Sequence, residues 1–218
     1  MAELLRLEAL TLRNREGRTV FRDLELRLEA GERVHVQAAP GTGGTALLRL
    51  AAGLTQPQEG RVLLEGVALG PYTVDHPFLT GGGLGWVPTE GGLLANLSLS
   101  ANVALPLRFL RGHSRVQAEE MALEGLERAG LGALAGLRPH ALEPRERWMG
   151  ALVRAALTRP RLWLLDKPPG RLEGPEWRRA EDMVRQTEGA FLAVDEAWKP
   201  LANAEYHLEQ GRLLPGGL

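Results

Sequence analysis

Arg33-Val34-His35-Val36-Gln37-Ala38-Ala39-Pro40-Gly41-Thr42-Gly43-Gly44-Thr45-Ala46-Leu47-Leu48-Arg49-Leu50-Ala51-Ala52-Gly53 is the stretch that decides the fold. Its first five residues read as a short strand. Ala38 to Gly44 is a glycine-rich loop. Thr45 to Ala52 reads as a helix stopped by Gly53, a residue that closes helices in the left-handed conformation. Strand, glycine-rich loop and helix, in that order, make the setting in which a loop can cradle phosphate, because first-turn N–H groups lack internal acceptors and attract an anion. The phosphate-loop pattern is G-x-x-x-x-G-K-[ST]. Over Ala38–Thr45 the chain keeps Gly43 and Thr45, has Ala38 for the first glycine, and carries Gly44 where the lysine belongs. The candidate phosphate-binding set is therefore Gly41, Thr42, Gly43, Gly44, Thr45 and Ala46. It is an anion-binding concavity without the ammonium that reaches the outer phosphates. A plain strand-to-helix turn is the competing reading of the same loop.

Outward from this stretch, Leu24, Leu26 and Leu28 alternate with Glu25 and Arg27, the period of a half-buried strand. Ala30-Gly31-Glu32 reads as a turn, and Arg61 to Leu64 as another strand closed by Glu65-Gly66. Pro71 to Gly85 reads as a loop ending in Gly81–Gly83. From about Ser98 to His140 the chain reads as helical, with Ala122, Leu126 and Ala129 on one face and Gly130 as a stop. A further helix is expected near Arg145 to Leu157, ended by Arg159-Pro160. Leu162–Leu165 before Asp166, and Phe191–Val194 before Asp195, are continuous apolar runs, the form of strands covered on both faces. The alternation predicts an α/β fold with a mostly parallel sheet and an N-terminal antiparallel β portion. Residues 1–218 read as a single domain with a helical subdomain inserted at 89–158.

The chain has 218 residues, 44% hydrophobic and 24% charged, with a net charge of −1, which excludes a disordered chain and gives no global electrostatic case for nucleic acid. Cysteine is absent, so disulfides, a thiol nucleophile and a Cys-based zinc site are excluded. His35, His76, His113, His140 and His207 lack metal-ligand spacing. No apolar run reaches the roughly 18 residues of a membrane span, and Met1–Leu12 lacks signal-peptide order, so a cytoplasmic location is expected. Only two of the 26 basic residues are lysine, Lys167 and Lys199. The five tryptophans read as core and surface aromatics, and Arg145, Arg147 and Arg154 as a solvated helix face.

From Gly41 to Gly66 the text, Gly-Thr-Gly-Gly-Thr-Ala-Leu-Leu-Arg-Leu-Ala-Ala-Gly-Leu continuing to Leu-Leu-Glu-Gly, resembles the phosphate-loop region of ABC transporter ATPase subunits. Gly92 to Arg108 resembles the family's stretch after its Q-loop, and Asn102-Val103-Ala104-Leu105-Pro106-Leu107-Arg108 resembles subunits of the Mla/Mce-type lipid transporters. Arg154 to Pro168 is similar to the A-R-A-L…P-x-L-L-L-L-D-E-P block. Glu205 to Leu213 is similar to the closing strand pair. The resemblance spans essentially the whole chain, in order. It implies a P-loop fold of the ABC type, Mg-ATP as cofactor with Thr45 and Asp166 on the metal side, head-to-tail dimers, and transmembrane partner subunits at the inner face of the membrane.

The departures fall on the chemistry. The resemblance places Gly44 at the phosphate-binding lysine, Thr89 at the Q-loop glutamine, and Leu142-Glu143-Pro144-Arg145-Glu146 at the L-S-G-G-Q signature. It places Lys167 at the general-base glutamate and Asp195 at the switch histidine. Near Asn14 and Arg15 no aromatic stands where the family stacks adenine. These substitutions imply a pseudo-ATPase, binding Mg-ATP weakly, that serves as a structural or regulatory subunit or pairs with a competent ATPase subunit. An active ATPase in which Lys167 supplies the missing charge is a second reading. A non-transport protein-binding module on the same scaffold is a third. Thr89–Phe109 is the expected partner-docking surface.

Overall fold

The computed structural model describes residues 2–70, 75–170 and 173–217. They form two compact units, one of residues 1–80, 162–167 and 190–218, the other of residues 81–161 and 168–189.

In the first unit, β1 (Glu3–Arg13) pairs antiparallel with β2 (Thr19–Glu29) and with β4 (Glu59–Leu64), and β4 pairs with β5 (Val67–Ala68). The leucines expected to alternate on β2 do so: Leu24, Leu26 and Leu28 are buried, Glu25 and Arg27 exposed. β1 bulges at Ala9, where φ is +48° and its register with both neighbours slips. Gly60 answers the bulge from β4. A Cβ there would lie 2.2 Å from the Glu8 carbonyl oxygen and 2.5 Å from that of Ala9, so only glycine fits. The second sheet of this unit runs β10 (Arg212–Pro215), β9 (Ala204–Glu209), β3 (Arg33–Ala38), β8 (Ala190–Ala193), β7 (Leu162–Leu165). β9, β3, β8 and β7 are parallel, and β10 returns antiparallel on β9. β7 and β8 are buried at every position, as their unbroken apolar runs imply. α1 (Gly44–Ala51) follows β3 and is closed by Gly53 at φ +71°.

In the second unit, α3 (Leu99–Arg111) begins at Ser98, whose side chain accepts from the Ala101 N–H, and ends at Gly112 with φ +69°. α4 (Arg115–Arg128) opens with a Ser114/Gln117 capping box, and α5 (Pro144–Ala156) lies against α3, where a Cβ on Gly150 would meet Leu99 Cδ1 at 2.5 Å. Single 3₁₀ turns at Gly132–Leu134 and Pro139–Ala141 break the segment that reads as helical to His140. Among the described residues, the elements that escaped the sequence reading include α2 (Pro77–Thr80, in the first unit), β6 (Leu84–Val87) and α6 (Gly174–Gln186). α2 and the start of β6 lie inside the stretch read as a loop; Pro71–Val74 of that stretch fall outside the described residues. Trp148, Trp163 and Trp198 are fully buried core residues.

Candidate functional site

The loop after β3 is built by backbone conformation. Gly41 and Gly43 take φ of +82° and +111°. Thr42 closes the loop on itself, its N–H and Oγ1 both donating to the Ala39 carbonyl at 3.1 and 2.7 Å. Gly43 is the N-cap of α1 and accepts from the Leu47 N–H at 2.9 Å. Gly43 admits no side chain, since a Cβ would lie 2.8 Å from Val20 Cγ1 and 2.9 Å from Phe21 Cε1. The N–H groups of Gly44, Thr45 and Ala46 then occupy the first turn, where a helix supplies no acceptor. The concavity can hold an anion by amide hydrogen bonds and helix dipole alone.

Asp166 stands beside it. Thr45 Oγ1 donates to Asp166 Oδ2 at 2.9 Å. The Asp166 side chain sits at the carboxyl end of β7, 2% exposed, and its Oδ1 accepts from the Lys167 N–H at 3.0 Å. A hydroxyl and a carboxylate in contact, next to an anion cradle, are oxygen donors suited to a hard divalent cation. The two residues expected on the metal side are thus brought together, and they fit Mg²⁺.

Position 44 is different. A Cβ on Gly44 would lie 2.4 Å from Val194 Cγ1 and 3.1 Å from Ala38 Cβ. The room a lysine stem would enter is filled by a valine methyl. The Cβ of Ala38, the residue that replaces the pattern's first glycine, stands beside it as well. Two departures that look independent in the sequence meet at one point in space.

Of the other expected positions, Asp195, Asn14 and Glu146 have local structural work and Lys167 does not. Lys167 is exposed and enters no ion pair among the described residues. Asp195 is extended, and its carboxylate accepts from the Ala197 N–H at 3.0 Å, capping a 3₁₀ stretch (Glu196–Leu201). Asn14 is a turn residue, its Oδ1 accepting from the N–H groups of Glu16 and Arg18 at 3.0 and 2.9 Å. In the second unit, Thr89 is half-buried in the turn after β6. Leu142 is buried, and Glu143 to Glu146 form the start of α5. There Pro144 supplies no N–H, and the Glu143 N–H is already taken by the Glu146 carboxylate at 2.7 Å.

The expected solvated arginine face is corrected. Only Arg145 behaves so, pairing with Glu176 at 3.5 Å in a half-exposed contact. Arg147 donates to the carbonyls of Leu142 and Pro139 at 2.6 and 3.3 Å. Arg154 donates to those of Gly92 and Gly91 at 2.8 and 3.1 Å, and its burial pulls the guanidinium below its ordinary pKa. Asn102, 1% exposed, accepts from the Leu94 N–H at 2.6 Å and donates to the carbonyls of Leu94, Leu97 and Ser98. Asn102 and Arg154 thereby fix the loop between β6 and α3. No periodicity marks either role in the sequence; both lie in stretches quoted for their likeness.

Comparison with known proteins places these observations. Residues 21–170 match the ABC transporter family. The lipoprotein-releasing system ATP-binding protein LolD of Chromohalobacter salexigens is 35% identical, aligning over 96% of this chain and 92% of its own. LolD of Idiomarina loihiensis is 34% identical over 95% and 98%. A solved dimeric post-hydrolysis state of an ATP-binding cassette bound to ADP and Pi superposes with a TM-score of 0.84 at 23% identity, covering 96% of each chain. These relatives correct the finer likeness drawn from Asn102–Arg108: they are lipoprotein-releasing proteins, not specifically Mla/Mce-type. The chain belongs to the ABC transporter family.

Proposed function

We propose that this chain is the ATP-binding-type subunit of a lipoprotein-releasing kind of ABC transport complex, and that its own site does not turn over ATP. The reading of the cargo rests on the relatives' names and on alignment over nearly the whole chain. The reading of the site rests on one observation above all: position 44 has no lysine and no room for one. Around it, Lys167 carries an ammonium where a base is needed, and a lysine's reference pKa of about 10.4 leaves it protonated near neutrality. Loss of a positioned base alone costs on the order of 10²–10⁴ in rate. Asp195 and Glu146 are engaged in capping backbone N–H groups. The amide cradle with Thr45 and Asp166 supports weak Mg-ATP binding in a regulatory role.

In this reading the chain sits at the cytoplasmic face of the membrane and docks on transmembrane subunits through Thr89–Phe109, within the helical subdomain at 89–158. It pairs with a competent ATPase subunit. No helix among the described residues is long and apolar enough to cross a membrane itself. The test is steady-state ATP hydrolysis by the purified chain, alone and with its membrane partners. Turnover in the ordinary enzyme range, above about 1 s⁻¹, overturns the reading. A second reading, an active site in which Lys167 replaces the lost charge, is favoured by the exposure of that side chain, which enters no ion pair among the described residues. It predicts that Lys167→Ala weakens Mg-ATP binding, whereas the first predicts no change.

A further inference from the structure

We propose that Lys199 and Glu205 are positioning residues for the phosphate loop: through one shared carboxylate oxygen they hold both walls that close over Gly44. The walls are Val194 Cγ1 and Ala38 Cβ, 2.4 and 3.1 Å from where a Cβ of residue 44 would stand. Ala38 ends β3, and β3 carries His35 at its centre. Val194 opens the segment that follows β8 and leads through the 3₁₀ stretch Glu196–Leu201 to β9. Both paths end on Glu205, at the start of β9. His35 Nδ1 is 3.2 Å from Glu205 Oε1, and Lys199 Nζ is 2.8 Å from the same oxygen.

The energetics make this a constraint and not a surface ion pair. The Glu205 side chain is 1% exposed, so its charge needs a partner on the spot. Lys199, 40% exposed, is the one ammonium or guanidinium on it among the described residues, and it comes from a 3₁₀ stretch with no sheet partner. His35 is fully buried and its Nε2 has no hydrogen-bond partner, so the imidazole has no second acceptor to swing to. The ammonium holds the Glu205 carboxyl below its ordinary range, and the carboxylate raises Lys199 in return. Trp198 and Leu201 bury the middle of the segment, and Asn203 exchanges two 2.8 Å hydrogen bonds with the Arg33 backbone. Between these anchors, the Lys199–Glu205 contact sets where the segment sits along β3. Val194 then acts as a stand-in for the side chain that Gly44 lacks, keeping the first turn of α1 packed without any nucleotide. The inference concerns packing of the loop and holds whether or not the site hydrolyses ATP.

A coupling experiment tests it. Gly44→Ala forces a Cβ into the seat and is expected to lower the thermal midpoint by several degrees in the wild-type background. In the Lys199→Met background the same substitution should cost about half as much or less, because Val194 can yield; in the Lys199→Arg background, which keeps the charge, the full loss should return. Lys199 does not touch Gly44, so a purely structural lysine predicts equal losses in all three backgrounds, and that result overturns the proposal. So does a Gly44→Ala variant as stable as wild type. Independently, amide exchange at Gly44–Leu47 and Val194–Ala197 should rise at least about tenfold in Lys199→Met, with the amides of β1 unchanged. Unchanged exchange at Gly44–Leu47 also overturns it.

Discussion

Putting a lysine at position 44 tests whether that position is empty or filled. Its Cβ would enter 2.4 Å from Val194 Cγ1 and 3.1 Å from Ala38 Cβ. Val194 is 8% exposed and β-branched, so it cannot rotate aside without meeting other atoms. Forcing such a contact costs about 1–3 kcal/mol. Replacing glycine within a helix returns roughly 0.7 kcal/mol. The net loss of about 0.3–2.3 kcal/mol corresponds to a thermal midpoint about 1–9 °C lower for a chain of this length. Val194→Ala forfeits roughly 1.6 kcal/mol of buried methyl groups but empties the seat. The double variant Gly44→Lys, Val194→Ala should therefore be no less stable than Val194→Ala alone. Only in the double variant should the ammonium reach phosphate, a charged hydrogen bond of about 1.5–3 kcal/mol, which is about ten- to a hundredfold in Mg-ATP affinity. Differential scanning calorimetry reads the first quantity and titration calorimetry the second. A single Gly44→Lys variant with wild-type stability and a tenfold gain in affinity would refute the filled-seat argument.

Two further outcomes follow from other parts of the molecule. Glu205 is held below its ordinary 4.5 chiefly by the Lys199 hydrogen bond, so its contribution is present above pH 4.5 and lost as pH falls through the lowered folded value. Urea midpoints measured between pH 7 and 3 should show that acid loss, and Lys199→Met should shift its onset upward; an unchanged acid profile in Lys199→Met contradicts the pairing. Asn102→Ala removes the acceptor of the Leu94 N–H and the side-chain donor of the Leu97 carbonyl, while the Leu94 and Ser98 carbonyls keep a backbone donor, and should cost about 1–3 kcal/mol with faster amide exchange confined to residues 91–98. A loss under about 0.5 kcal/mol would mean that water replaces the amide.

How much of this was legible in the sequence depends on what each element spends its residues on. β2 showed itself because every second residue is a leucine facing the core, and β7 and β8 because both of their faces are covered. α6 did not, since only Ala180 and Val184 of its thirteen residues are buried and no apolar stripe repeats. β6 is four residues long, has a glycine in the middle, and follows three more; its neighbours read as loop. At the candidate site, spacing marked the loop and Thr45, because strand, turn and helix fix them locally, whereas Asp166 came from the family resemblance and meets Thr45 across 121 residues of chain. It could not locate Val194, which lies 150 residues from Gly44 along the chain and meets it only in the folded state. Nor could it distinguish Arg154, which donates to two carbonyls, from Arg145, which faces solvent beside an acid.

Asp195 illustrates a wider consequence. Its carboxylate closes the Ala197 amide, as the Glu146 carboxylate closes that of Glu143, and as Val194 closes the gap at Gly44. Two caps and one packed methyl thus tie Asp195, Glu146 and Gly44 to the scaffold. Changing any one of these three alone opens an uncapped amide or a collision before it can add a new interaction. Single substitutions at these three positions therefore run uphill in packing or capping energy, and any gain there needs a compensating second change.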